Sequence, residues 1–153
     1  MEADDEDRTN PTGLFNTAVS YWKSAAALER AKVKATHPDH PIRSLYYHAI
    51  ELYLKAFLRQ HHSVKELASK KFGHNTKKLS VRARELELSF HDEDQTVFAH
   101  LQNSDAVMQA RYIRTGLYKG QPGPPMEALD RTCRRLHKGV GQALKTRGLT
   151  VRL

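Results

Sequence analysis

A chain of 153 residues with a single cysteine, 27% charged and 39% hydrophobic side chains is sized for one domain and excludes an internal disulfide. No run approaches the roughly 18 apolar residues of a membrane-spanning helix, and the acidic start MEADDEDRTNP is unlike the basic start of a secretion signal. The formal net charge of +8 favours an anionic partner, whether nucleotide, nucleic acid or acidic protein, and the expected location is cytoplasmic.

The charge is unevenly placed. Glu2, Asp4, Asp5, Glu6 and Asp7 give residues 1–10 the composition of a flexible acidic tail. A first helix is expected over residues 13–36, capped by Thr12. Phe15, Ala18, Val19, Trp22, Ala25 and Ala26 recur along it at steps of three and four. The two prolines of HPDHP, residues 37–41, break that helix. Pro41 opens a second helix reaching His61. Its stripe of Ile42, Leu45, Tyr46, Ala49, Leu52, Tyr53, Ala56 and Phe57 is widened by Ile50, Leu54 and Leu58. A helix apolar over so much of its girth belongs at the centre of a bundle or at a dimer interface.

A short helix over residues 63–71 ends before Gly73. Asn75 or Thr76 caps the next helix, expected to reach Ser89, with Leu79, Ala83 and Leu86 inward and Phe90 closing that side. Residues 92–102 form another helix, whose Asp92, Glu93 and Asp94 suit the positive end of its dipole. Residues 103–125 are the least regular, and from Gly116 onward glycine and proline predict a loop. The last helix, residues 125–146, has the cleanest amphipathic pattern: Met126, Leu129, Cys133, Leu136, Val140 and Leu144. Cys133 lies inside that stripe and reads as a buried structural cysteine. The expected architecture is all-α, an up-and-down bundle of four to five helices over residues 11–147, with 148–153 as a C-terminal tail.

Most catalytic signatures are missing. The sequence has no glycine-rich phosphate loop, no paired cysteines and no HExxH helix, so no metal and no cofactor are expected. His61 and His62 are adjacent, a poor spacing for one helical metal site, and His37 and His40 share a loop with Asp39. What remains is basic. From Arg131 to Leu153 there are seven arginines and lysines and no carboxylate side chain. An arginine and a histidine suffice to cleave RNA, which supplies its own nucleophile. The histidine moves the proton and the arginine stabilises charge growing on phosphorus. Arg131 and His137 are the candidates, with Arg134, Arg135 and Lys138 as phosphate contacts. At about 100° per residue, Arg131 and His137 are splayed by about 120°, and Asp130 is placed to pair with Arg134. A second subunit could bring equivalent helices together. His74, Lys77 and Lys78 in GHNTKK lie at a helix start, where backbone N–H groups attract anions.

The residues taken together resemble the HEPN superfamily of small, all-helical, usually dimeric domains. HAIELYLKAFL matches its pattern at Ala49, Glu51, Leu52, Lys55, Ala56 and Leu58. GHNTKKL, from Gly73 to Leu79, matches a second mark, with Thr76 where leucine is usual. Arg111 and Tyr112 match a third, with Ile113 where proline is common. Catalytic members are metal-independent ribonucleases with an arginine four to six residues before a histidine, and RTCRRLH fits through Arg131 and His137, with Thr132 after the arginine. The resemblance implies a homodimer that takes RNA, a nucleotide or a nucleotidyltransferase-like partner protein. Two functions follow. One is a non-catalytic binding module for a nucleotide, nucleic acid or partner protein. The alternative is a metal-independent endoribonuclease, such as a toxin component, using the Arg-x5-His pair.

Overall fold

Asn10 starts the fold. Its side-chain oxygen accepts from the Gly13 backbone N–H at 2.7 Å, and Pro11 occupies the first helical position, where its missing N–H costs nothing. The computed structural model describes residues 9–73, 75–101 and 123–151. All regular structure among them is helical: α1 (Pro11–Ala31), α2 (Asp39–Leu58), α3 (Val64–Ala68), α4 (Thr76–Glu85), α5 (Asp92–Leu101) and α6 (Met126–Thr146). The described residues thus hold six helices rather than four to five, each within or overlapping a segment expected to be helical, the short one over residues 63–71 included. None is long and apolar enough to cross a membrane.

Several boundaries differ from expectation for local reasons. The cap of α1 is Asn10, not Thr12, and the helix ends at Ala31 with Lys32 left-handed at φ 49°. Residues 31–37 are all exposed, so nothing beyond Ala31 rewards further winding. Helix α2 begins at Asp39, with Pro41 inside its first turn, where backbone N–H groups have no helical partner anyway. Thr9 is also tied down, its carbonyl accepting from Arg59 Nε at 2.9 Å.

α2 is the axis of the bundle. Tyr46, Ala49, Ile50, Tyr53, Leu54, Ala56 and Leu58 are completely buried along it. Helix α1 lies against one side and α4 and α6 against the others. Phe15, Leu79, Leu129 and Leu144 complete the core from those helices. The apolar excess of α2 is therefore consumed inside the chain, and Val33 and Val81 are the large hydrophobics exposed among the described residues.

Two helices end in the same hydrogen-bonded motif with different residues at its left-handed position. After α6, Gly148 (φ 82°) donates to Lys145 O at 2.9 Å and Leu149 to Leu144 O at 3.0 Å. Leu149 then packs on the core and Val151 is buried, so the chain folds back beyond α6. After α4, Glu87 (φ 75°) donates to Arg84 O at 3.0 Å and Leu88 to Ala83 O at 3.0 Å. Glycine is the residue this geometry favours, because a Cβ there crowds the backbone. Glu87→Gly is expected to raise unfolding stability by about 0.5–1 kcal/mol and Gly148→Ala to lower it by about 1 kcal/mol, measured by urea denaturation.

Candidate functional site

Helix α6 carries most of the candidate residues, and its neighbours determine what each can do. From α5, the carboxylates of Glu93 and Asp94 reach across. Arg131 meets Glu93 in a two-pronged pair, Nε to Oε1 at 2.9 Å and a terminal nitrogen to Oε2 at 2.8 Å. Arg135 donates to Asp94 Oδ1 and to Glu93 Oε1, each at 2.7 Å. Thr132 donates its hydroxyl to Asp94 Oδ1 at 2.7 Å. Asp94 also accepts the His91 N–H at 3.0 Å, which caps the start of α5. The Arg131 guanidinium, with Arg135 behind it, pulls the Glu93 pKa down to about 2, so the clamp is charged at any ordinary pH. Arg131 and Arg135, read from sequence as a catalytic residue and a phosphate contact, are thus both engaged in holding α5 to α6. Asp94 is only 1% exposed. Its replacement by alanine, which removes the buried acceptor of Arg135 and Thr132 and leaves Arg135 only the more exposed Glu93, is expected to cost about 3 kcal/mol of unfolding free energy.

His137 faces the opposite flank of α6. It packs between Phe15 (ring centroids 5.0 Å apart) and Trp22 (5.4 Å). Its Nδ1 lies 3.0 Å from the hydroxyl of Tyr53. Tyr53 is fully buried, so its O–H has to donate to that nitrogen to be satisfied. Nδ1 is therefore the acceptor and the ring proton sits on Nε2. Burial, and then the nearby Lys23 ammonium, pushes the His137 pKa below its usual value, so the ring is neutral at pH 7. His137 is six positions on from Arg131, about 9 Å along the helix and about 120° around it. The two do not meet within one chain.

The remaining candidates are scattered. Arg134 pairs with Asp130 at 3.1 Å. Lys138 is exposed on α6, as is Lys78 on α4, while Lys77 is half-buried. His74 and the Arg111–Tyr112 mark lie outside the described residues. Cys133 is wholly buried, and burial raises its thiol pKa, which keeps it a thiol. No group of three or more His, Cys, Asp or Glu side chains that could hold a metal occurs among the described residues.

One concave feature is a cleft of about 830 Å³ between α1 and the first half of α6. Trp22, Ala26 and Glu29 line it from α1 at helical spacing, Tyr46 from α2, and Asp130 and Arg134 from α6. The indole N–H of Trp22 donates to Asp130 at 2.8 Å, and the Tyr46 hydroxyl donates to Glu29 at 2.6 Å. Lys23, Arg30 and Lys32 stand along the edge, and none makes an ion pair with a described residue. Sequence reasoning missed this set. The apolar spacing places Trp22 in the stripe of α1, while Lys23 and Arg30, seven apart, share a neighbouring face whose basic character is the one signal the sequence offers.

No known protein family, curated protein or solved structure matches the chain. If His137 is held mainly by packing and by Tyr53, the two residues are energetically coupled. His137→Ala is expected to cost about 2 kcal/mol by orphaning the Tyr53 hydroxyl, and Tyr53→Phe about 1 kcal/mol. In the His137→Ala background Tyr53→Phe should cost nothing. Independent, additive losses in a urea double-mutant cycle would rule out the pairing.

Proposed function

We propose that this chain is a HEPN-like helical binding module for phosphate-bearing nucleotides, free or within a nucleic acid, received in the cleft between α1 and α6. The observation that carries the reading is the grouping of Lys23, Arg30 and Lys32, without ion pairs to described residues, around Trp22. A cleft of about 830 Å³ suits a ligand of nucleotide size. An indole offers a face on which any base stacks, and the bond to Asp130 fixes its plane. Lysine and arginine at the edge match phosphate oxygens. Along α6 the exposed Arg134 and Lys138, one turn apart, extend the basic surface. The family reading is supported by a buried Glu51 paired with Lys55 on the central helix, and by Arg131 and His137 on a late helix of an all-α domain.

The endoribonuclease reading asks for more. Arg131 would have to leave Glu93, and a second copy of the chain would have to carry an arginine to His137. Binding needs neither change.

Trp22 is the only tryptophan, so its fluorescence reports on the cleft directly. A mixed-sequence single-stranded oligoribonucleotide at low salt is expected to quench it, and the Lys23→Glu/Arg30→Glu variant to weaken binding at least tenfold. Absence of binding by the native chain would overturn the proposal. Incubated with the protein in EDTA, the RNA should remain intact. Cleavage lost in His137→Asn would favour the nuclease instead.

A further inference from the structure

The cleft separates its charges by depth. Lys23, Arg30, Lys32, Glu127, Arg131 and Arg134 are exposed at its edge. Trp22, Ala26, Glu29 and Asp130 are half-buried below them, and Tyr46 is buried at the base. Every cation of the lining thus stands outside, while two of its three carboxylates, Glu29 and Asp130, lie inside and Glu127 stays at the edge. A cleft built for phosphate alone has no use for Glu29, whose charge repels that ligand.

The two floor carboxylates differ in what they have left to offer. Asp130 is occupied on both oxygens, by the Trp22 indole on Oδ1 and by Arg134 on Oδ2. Glu29 receives the Tyr46 hydroxyl on Oε1. Each carboxylate oxygen accepts two hydrogen bonds, so Asp130 keeps one place on each oxygen, whereas Glu29 keeps one place on Oε1 and the whole of Oε2, which takes no hydrogen bond from a described residue. The Tyr46 hydroxyl, carried by a fully buried ring and 2.6 Å from Oε1, orients it. Ala26 lies one turn from each of Trp22 and Glu29, and its single methyl leaves room for a flat ring between them.

Resting on the nucleotide-binding reading above, we infer that Glu29 reads the base and makes the cleft selective for guanine. Guanine is the common base whose pairing edge places two donors side by side, N1–H and the N2 amino group. A carboxylate accepts both at once. Adenine offers an amino group beside a bare ring nitrogen, which a carboxylate repels. Uracil offers one N–H between two carbonyls. Cytosine offers an amino group beside a bare nitrogen. The phosphate then extends outward toward Lys23, Arg30 and Lys32, where the cations stand.

The test compares GMP with AMP and UMP by Trp22 fluorescence, in the native chain and in Glu29→Gln. Glutamine keeps an oxygen for the Tyr46 hydroxyl and turns a donor toward the base. The native chain is expected to bind GMP about tenfold tighter than AMP or UMP, in line with the discrimination of a two-bond contact. Glu29→Gln should bring the ratio close to one while AMP binding is kept or improved. Ala26→Leu, which fills the floor without touching charge, should weaken all three. Equal binding of the three nucleotides by the native chain, or an equal loss of all three in Glu29→Gln, would overturn the guanine assignment. That outcome is distinct from failure of the oligonucleotide to bind, which removes the binding reading itself.

Discussion

The position of α6 depends on a buried carboxylate. Asp94, at the start of α5, takes Arg135 and Thr132 from the middle of α6 and the backbone N–H that begins its own helix. Such a group is costly to bury, and it becomes tolerable only because every oxygen is matched and the partner carries opposite charge. Matching it requires α6 at one height and one rotation. On its far flank α6 is held again, by the bond between His137 and Tyr53. Apolar packing alone would let a helix with so regular a stripe slide by a turn. Two polar attachments on different faces remove that freedom, and they turn Asp130 and Arg134 toward α1 to form one wall of the cleft.

The arginine and histidine that resemble a nuclease signature occupy these two attachments. Arg131 reinforces the α5 side through Glu93. His137 is a platform whose ring backs Trp22 and whose nitrogen satisfies a tyrosine. An arginine and a histidine at this spacing serve chemistry only if something brings them to one phosphate. Here their neighbours draw them apart. His137 is better described as a positioning residue for the indole, and its lowered pKa follows from that packed role, since a ring wedged among aromatics beside a lysine gains nothing from charge.

Much of the helical framework was legible because it is periodic. The stripe from Met126 to Leu144 predicted α6 nearly to the residue, and the girth of apolar residues on α2 predicted its central place. Boundaries were less legible, since they turn on single bonds: Asn10 takes the cap from Thr12, and residues 32–36 have no packing partner to extend α1. The left-handed turn at Gly148 has a residue that signals it, whereas the same turn at Glu87 does not. The splay of Arg131 and His137 followed from helical geometry. Their partners did not, because Glu93 is 38 positions from Arg131 and Tyr53 is 84 from His137. Asp92, Glu93 and Asp94 also had a sufficient local explanation in the helix dipole, which hid the longer contact.

The cleft shows why charge counts say little about specificity. A net charge of +8 favours any polyanion, and Lys23 and Lys32 at the edge, which make no ion pair with a described residue, would attract one without discrimination. Discrimination is a difference between affinities, and a group that lowers affinity for most ligands serves it as well as one that raises affinity for a few. Glu29 has that character. In the proposed binding mode it would oppose any phosphate that enters, and only a ligand with donors facing it would recover the loss. The buried Tyr46 hydroxyl gives the carboxylate a preferred orientation, and in the proposed binding mode that fixed direction is what would convert a general electrostatic attraction into a choice.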